Sequence, residues 1–211
     1  MVTVAFLFDR TNGWIWEHFP HQFDDLKKFK VHKTFDADSI RNFDIVFVLG
    51  YTKILSGDFL TSNKLILVVH ESNVPNGKGF APVQWQILEG KDEITVSLLE
   101  VVEQVDSGDV VAQKKLVFDG TELYQEIRSK QAQATYDVIS GFLTQYPMIV
   151  KQPQVGEGSF YRKRSPSDSE LDLDQTIREQ FQLLRVCNND AWPAFFIKDG
   201  QKYVVKIYKE S

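Results

Sequence analysis

The chain has 211 residues, 43% of them hydrophobic, and a formal net charge of −5 at pH 7. That is enough apolar sequence for one domain, or one core with a small appendage, and the acidic balance argues against a general nucleic-acid binder. The single cysteine, Cys187, excludes an intrachain disulfide and a multi-cysteine zinc site, and we expect no metal. No apolar run approaches the roughly 20 residues of a membrane helix, so we expect a cytoplasmic protein without membrane association.

Three continuous apolar runs in the first third of the chain predict strands buried on both faces: Val2–Phe8, Asp44–Leu49 and Leu65–Val69. Residues 14–28 lie between the first two and read as a loop followed by a helix. Strands that alternate with helical stretches predict an α/β fold with a Rossmann-like, largely parallel sheet.

Three residues fall where these predicted strands end, namely Asn12, Gly50 and His70. Ligands of open α/β sheets bind beyond the carboxyl ends of the strands. The sequence therefore predicts a binding site where these residues converge.

The middle of the chain predicts a short helix, two strands and a long helix, over residues 82–89, 94–102, 110–118 and 121–147 respectively. Thr121 is the expected N-cap of the long helix, and Pro147 its stop. The two strands flank a turn that contains Asp106.

The last third begins with Pro- and Gly-containing turns and the basic triplet Arg162-Lys163-Arg164. We place a boundary here, with a core at 1–150 and a small C-terminal α+β appendage at 151–211. A helix is predicted at 174–186, followed by a hairpin around Asp199-Gly200. The hairpin offers an edge for pairing, so a homodimer is possible.

His70 and Asp106, thirty-six residues apart, carry the chemistry that the sequence suggests. An imidazole can donate to a developing oxyanion, and a carboxylate beside it can fix its tautomer and stabilise its charged form. Each also has a plainer structural reading, His70 as a polar residue at a strand end and Asp106 as a turn residue. Asp109 is better explained as a structural turn residue.

Three motifs around these residues resemble the formyltransferases that use N10-formyltetrahydrofolate. The segment from His70 to Pro75 is similar to the family's His-Pro-Ser-Leu-Leu-Pro, and Val105 to Asp109 is similar to Leu-Asp-Thr-Gly-Asp. Leu49 to Leu55 resembles Ala-Gly-Phe-Met-Arg-Ile-Leu. The resemblance implies that an amine attacks the formyl carbon of the folate co-substrate, with a tetrahedral oxyanion stabilised by His70 and Asp106 in support.

The resemblance also implies a folate pocket, formed by Gly50, Tyr51, Ile54, Val105 and Asp106. One family feature is missing: the third catalytic residue is an Asn two positions before the His, where this chain has Val68. Either another donor replaces it, or turnover is slow, or the chain no longer catalyses. Asn73 is the candidate replacement, and we include it among the catalytic residues.

The second substrate is predicted to contact Asn12, Trp14 and Lys78. Lys78 could hold a phosphate or be a solvated loop cation, and Trp14 could stack on a base or sugar or anchor the core. Residues 151–211 carry ten Lys/Arg and nine Asp/Glu, too neutral for a convincing tRNA platform.

By elimination the chain is most similar to the sugar N-formyltransferases, which act on nucleotide-linked amino sugars for bacterial surface polysaccharides. The expected substrates are therefore small molecules rather than nucleic acid. A methionyl-tRNA formyltransferase and a non-catalytic folate- or nucleotide-sugar-binding module remain the alternatives.

Overall fold

A computed structural model describes residues 1–20, 23 and 28–210. The strands are β1 (Val2–Phe8), β2 (Phe29–Thr34), β3 (Ile45–Leu49), β4 (Ile66–His70), β5 (Lys78–Gly79), β6 (Glu93–Glu100), β7 (Val110–Val117), β8 (Phe160–Tyr161), β9 (Ala194–Lys198) and β10 (Gln201–Val205). The helices are α1 (Trp14–Glu17), α2 (Gly57–Thr61), α3 (Pro82–Leu88), α4 (Tyr124–Gln145) and α5 (Phe181–Val186).

The central sheet has six strands in the order β2-β1-β3-β4-β6-β7. The first four run parallel, and β6 and β7 extend the sheet in antiparallel fashion. The carboxyl ends of β1, β3 and β4 therefore meet at one edge. The predicted α/β class, with a largely parallel sheet and a small C-terminal hairpin, is confirmed.

Both faces of the sheet are covered, as the continuous apolar runs predicted. Along β1, Val4, Phe6 and Phe8 belong to the core cluster that includes α4, whereas Ala5 and Leu7 belong to the cluster on the opposite face. This alternation follows from the period of two in a strand. Burial of one such Phe or Leu side chain stabilises the fold by about 1.5–3 kcal/mol.

The predicted strands at the start and middle of the chain and the helix at α3 are confirmed to within one or two residues. The sequence did not predict β2, whose residues alternate Phe, Lys, Val and His, nor the five-residue α2. Of the loop and helix expected at 14–28, the described residues include the short helix α1. Residues 21, 22 and 24–27 of that prediction lie outside the described part of the chain.

Two predicted helix starts are wrong. Helix α4 begins at Tyr124, not beside Thr121, because the Asp119 carboxylate accepts from the Thr121 backbone and hydroxyl and holds that residue in a turn. Helix α5 begins at Phe181 instead of residue 174. Side chains of the preceding turns, such as Glu179 bonded to Thr176, compete for the backbone N–H groups.

Residues beyond 150 return to the core at several points. Gln152 exchanges backbone hydrogen bonds with Val110, and β8 pairs in parallel with β5. Arg185, fully buried, donates to the carboxylate of Glu122 at 2.6 Å and to its carbonyl at 2.8 Å. The hairpin turns at Asp199-Gly200, both with positive φ, as the sequence predicted. The boundary at 150/151 stays a prediction.

Candidate functional site

The loops after β1 and β3 are joined by one buried carboxylate. Asp9, only 3% exposed, accepts from the backbone N–H and hydroxyl of Thr11 at 2.8 and 2.7 Å, and from the same groups of Thr52. Burial opposes ionisation, but the hydrogen bonds from Thr52 and Thr11 outweigh it and hold the pKa of Asp9 well below its usual range. A charged, fully bonded Asp9 therefore fixes the two loops to each other.

A second link between these loops positions two predicted site residues. The Asn12 side-chain amide donates to the Gly50 carbonyl at 2.8 Å. Gly50 has φ +58°, and a Cβ there would lie 3.0 Å from Asn12 Nδ2. A side chain at residue 50 would therefore push the loops apart, which accounts for the glycine after β3.

His70 is the last residue of β4 rather than the first after it, and it is 6% exposed. Its Nε2 lies 2.8 Å from the Gly77 carbonyl oxygen. A carbonyl can only accept, so Nε2 carries a proton in this arrangement. Nδ1 faces Asp106, 3.6 Å from Oδ2, beyond direct hydrogen-bond distance but within ion-pair range when the ring is charged.

Asp106 reaches His70 from the turn between β6 and β7. The residue has φ +52°, and its Oδ2 accepts from the Gly79 backbone N–H at 3.0 Å. The side chain of Gln154 donates to the carbonyls of Asp106 and Gly108 at 2.9 and 2.8 Å. The predicted pair of residues is thus brought together across thirty-six positions of sequence.

Glycine is required at two points that set this geometry. A Cβ on Gly108 would lie 1.8 Å from the Glu100 carbonyl oxygen, and a Cβ on Gly79, which has φ +94°, would lie 2.5 Å from the Tyr161 carbonyl oxygen. The Asp106 turn and the loop after His70 are therefore packed against backbone that cannot move aside.

The loop after His70 is held by a segment that the sequence did not associate with the site. Ser159 Oγ accepts from the Gly77 N–H at 2.9 Å, and β8 pairs with β5 at Lys78 and Gly79. Trp85 of α3 donates to the Arg162 carbonyl at 2.8 Å and fastens the same segment. These contacts are non-local, so periodicity along the chain carried no sign of them.

Lys78 is 8% exposed, and its ammonium donates to Ser107 Oγ at 3.0 Å. The reading of Lys78 as a solvated loop cation is therefore wrong. The side chain lies against the Asp106 turn. No cluster of three or more metal-binding side chains occurs among the residues that the structure describes.

Asn73 is exposed, and its Oδ1 accepts from Gln113 Nε2 on β7 at 3.4 Å. The same Gln113 amide donates to Ser97 Oγ at 2.9 Å, and Ser97 pairs with His70 across the sheet. Asn73 is therefore tied to the sheet next to His70 through one intermediate side chain.

An apolar surface lies on the face of β4 that His70 shares with Val68, two positions before it. Tyr51, Leu55, Val68 and Val101 are half-buried there and pack against the same core cluster. Ile54, in the loop between β3 and α2, is 93% exposed. Val105, beside Asp106, is 61% exposed. Half-exposed apolar side chains next to convergent polar groups are typical of a small-molecule binding surface.

Trp14 lies on the side of the sheet that faces α4. Its ring is half-buried against the main core, and the Arg128 guanidinium lies over it at 4.6 Å from the centroid. Gln131 accepts from Arg128 and donates to Glu71, the residue after His70. Sequence reasoning missed Arg128 and Gln131, although their spacing of three residues places them on one helix face.

Comparison with known families identifies one match: a family model described as formyl transferase aligns with residues 20–141. The methionyl-tRNA formyltransferase of Streptococcus sanguinis is 27% identical over 186 residues, which is 85% of this chain and 58% of that protein. The bifunctional polymyxin resistance protein ArnA of Wigglesworthia glossinidia brevipalpis is 27% identical over 161 residues, 72% of this chain and 24% of that protein. The chain thus spans about three fifths or less of these relatives.

Solved structures share the fold at low sequence identity. A methionyl-tRNA formyltransferase from Clostridium thermocellum superposes with a TM-score of 0.79 at 19% identity, covering 100% of this chain and 94% of that one. A sugar N-formyltransferase from Shewanella sp. FDAARGOS_354 gives 0.73 at 15%, covering 100% and 99%. HypX from Aquifex aeolicus in complex with tetrahydrofolic acid gives 0.71 at 16%, covering 97% and 37%.

No helix in the described ranges is long and apolar enough to cross a bilayer.

Proposed function

Because this chain belongs to the formyl transferase family, whose model matches residues 20–141, we propose that it transfers a formyl group from N10-formyltetrahydrofolate to the amine of a nucleotide-linked amino sugar. The observation that carries the proposal is the His70–Asp106 pair, held 3.6 Å apart at the carboxyl edge of the sheet. The family uses this co-substrate, and the relative crystallised with tetrahydrofolic acid supports the same donor here.

His70 is the proposed donor to the oxyanion. The reaction forms a bond between the acceptor nitrogen and the formyl carbon and breaks the bond from that carbon to the folate nitrogen. Charge develops on the formyl oxygen in between, and a fixed N–H aimed at it stabilises the transition state. The Nε2 proton of His70 is bonded to the Gly77 carbonyl, so donation requires that the formyl oxygen replace this carbonyl as acceptor.

Asp106 is proposed to orient and stabilise His70 rather than to touch the formyl group. Its carboxylate faces Nδ1 and is itself oriented by the Gly79 N–H. The reaction as a whole moves one proton from the acceptor amine to the folate nitrogen that leaves. Where His70 takes up a proton at Nδ1, this carboxylate stabilises the charged imidazole.

Val68 leaves the oxyanion without the family's Asn. We propose that Asn73 supplies the second donor, because its carboxamide is tied through Gln113 and Ser97 to the strand position opposite His70. Loss of one such donor costs about 10² to 10³ in rate, so an active chain needs a replacement.

The folate is proposed to lie against the half-buried Tyr51 and Val68, between the exposed Ile54 and Val105. Gly50 brings the loop after β3 close to Asn12, and the Asp106 turn closes the other side. Burial first, and then the nearby Asp9, raise the pKa of the Tyr51 phenol, which remains a neutral hydrogen-bond donor at physiological pH.

A methionyl-tRNA acceptor is the second candidate, favoured by the relatives and by one structural neighbour that carry this name. The charge of the chain argues against a tRNA acceptor. Its net charge is −5 and residues 151–211 are nearly neutral, so the protein attracts the phosphates of a tRNA only weakly. A non-catalytic binding module is the third.

One experiment separates the three. N10-formyltetrahydrofolate is incubated with the protein and either a panel of nucleotide-linked amino sugars or charged initiator methionyl-tRNA, and the acceptor mass is measured. A gain of one formyl group on an amino sugar supports the proposal, and a gain on tRNA alone replaces the acceptor. Tight folate binding with no transfer to any amine indicates the binding module.

A further inference from the structure

Arg128, on the first turns of α4, is held more rigidly than an ordinary surface arginine. Its guanidinium lies over the Trp14 ring at 4.6 Å and over the Tyr124 ring at 5.2 Å. Nε donates to the Tyr124 hydroxyl at 3.1 Å, and Nη1 donates to Gln131 Oε1 at 2.9 Å. Two rings and two hydrogen bonds thus fix the orientation of the planar group.

No carboxylate in the described residues lies within ion-pair distance of Arg128, in contrast to Arg162 and Arg185. Its hydrogen-bond partners within the described chain are a phenol and a carboxamide, both neutral, so no described carboxylate pairs directly with its charge. A free arginine side chain populates many rotamers, and here much of that freedom is lost before any ligand arrives. A pre-ordered, unpaired guanidinium with Nη2 available is suited to an anion.

Arg128 is connected to the candidate catalytic residue by one carboxamide. Gln131, 3% exposed, accepts from Arg128 and donates through Nε2 to Glu71 Oε1 at 2.6 Å. Glu71 directly follows His70 at the end of β4. Arg128 therefore lies near the sheet edge that carries His70, on the face opposite the Tyr51 and Val68 surface.

Strand alternation turns the side chains of β4 toward two different sides of the sheet. His70 and Val68 face the surface assigned to the folate, whereas Val69 packs on the α4 side, to which the Glu71 side chain also turns. An acceptor that enters from the α4 side passes Trp14 and Arg128 before its amine reaches the formyl carbon at His70. Lys78, the phosphate ligand expected from the sequence, is 8% exposed and donates to Ser107 Oγ, whereas Arg128 is only half-buried.

We propose that Arg128, stacked on Trp14, binds the phosphate of the formyl acceptor. The inference rests on the proposed function, since it names the anion-binding residue of that same site. A nucleotide-linked amino sugar and the 3′ end of a tRNA both present phosphate, so the shared chemistry is a phosphate attached to an amine-bearing acceptor.

The test measures binding without turnover. UDP, dTDP, GDP and initiator tRNA are titrated by calorimetry into wild type, Arg128→Ala and Arg128→Lys, with 5-formyltetrahydrofolate as the folate control. Arg41→Ala is the matched charge control, because Arg41 is exposed just before β3, at the opposite end of the strands. The expected result is at least about tenfold weaker binding of the preferred phosphate probe to Arg128→Ala, or about 1.4 kcal/mol, with folate binding unchanged and Arg41→Ala like wild type.

The lysine variant keeps the test decisive if removal of the side chain disturbs α4. Lysine retains the charge but not the planar fork, so Arg128→Lys should also bind the phosphate probe more weakly while folate binding persists. Unchanged phosphate binding in a variant that keeps folate binding overturns the inference. So does loss of folate binding in both variants, or wild type that binds none of the probes.

Failure of the proposed function is visible separately. If wild-type protein binds a nucleotide diphosphate through Arg128 but transfers no formyl group, Arg128 is still the phosphate ligand, and the proposed catalysis is wrong. Preferential binding of nucleotide diphosphates over tRNA identifies the small-molecule source of the phosphate, and the reverse preference identifies the nucleic acid.

Discussion

Asp9→Asn tests how the loops after β1 and β3 are held together. Within the described chain, Asp9 is the one carboxylate that accepts hydrogen bonds from both loops. Asparagine has the same shape but can accept through one oxygen only, so one of the two pairs of bonds, from Thr11 or from Thr52, loses its acceptor. A hydrogen bond to a charged group contributes about 1.5–3 kcal/mol, and a buried donor left unpaired costs about 1–3 kcal/mol. We therefore expect a loss of about 2–4 kcal/mol in the free energy of unfolding, or very roughly 4–16 °C in Tm for a domain of this size.

Asp44→Asn is the matched control at the other end of the same strands. Asp44 joins β1 to the start of β3 by accepting from the Thr3 N–H and hydroxyl, both at 2.8 Å, and it pairs with Lys64. Both variants should lose stability in urea denaturation. Only Asp9→Asn should also weaken binding of 5-formyltetrahydrofolate, because only Asp9 positions Asn12 and Gly50.

The pH dependence of the Asp9 effect has a defined sign. The folded-state pKa of Asp9 lies below the ordinary value of 3.8, so its stabilisation is present above about pH 4 and is lost as the pH falls further. The stability gap between wild type and Asp9→Asn should therefore be constant near neutrality and narrow below pH 4. Equal folate affinity in the two Asp variants, or a gap that widens in acid, would refute the reasoning.

Three further predictions concern the site. Asp106→Asn should lower kcat/KM at least about tenfold, and an unchanged rate in steady-state kinetics removes Asp106 from the mechanism. Gly108→Ala should lower the free energy of unfolding by more than about 1–3 kcal/mol and remove most of the activity, because the new Cβ would lie 1.8 Å from the Glu100 carbonyl oxygen. The control is Gly141→Ala, in α4 with open space around it, which should leave thermal stability unchanged or slightly higher. If Asn73 has replaced the missing donor, Asn73→Ala should lower kcat by about 10² while Val68→Asn gives little gain; a large gain from Val68→Asn would identify an impaired site instead.

Local pattern was sufficient for the strands that build the sheet. The strands β1, β3 and β4 are buried on both faces, so each is a continuous apolar run that can be predicted from its own residues alone. Edge strand β2 alternates with Lys and His and carries a weaker signal. The Asp199-Gly200 turn was also predictable, because two residues with positive φ suit that dipeptide.

The site could be predicted only as far as motifs extend. His70 and Asp106 stand in recognisable turns, and the geometry brings them together. Gln131 and Gln154 could not be found this way, because each is an ordinary helix or loop residue with a hydrogen-bond partner tens of positions away. Arg128 was missed because the ring it lies over, Trp14, is also distant in sequence. The predicted helix starts failed for a related reason: side chains such as Asp119 compete for backbone N–H groups, and propensity does not record that competition.

We propose that His70 stabilises the oxyanion formed during formyl transfer from N10-formyltetrahydrofolate. The most direct measurement is the rate of tetrahydrofolate release with the preferred acceptor for wild type, His70→Ala and His70→Asn, beside 5-formyltetrahydrofolate affinity for each. We expect a rate at least about 10² lower in both variants, with folate affinity within about threefold of wild type. Near-normal turnover by His70→Ala would contradict it.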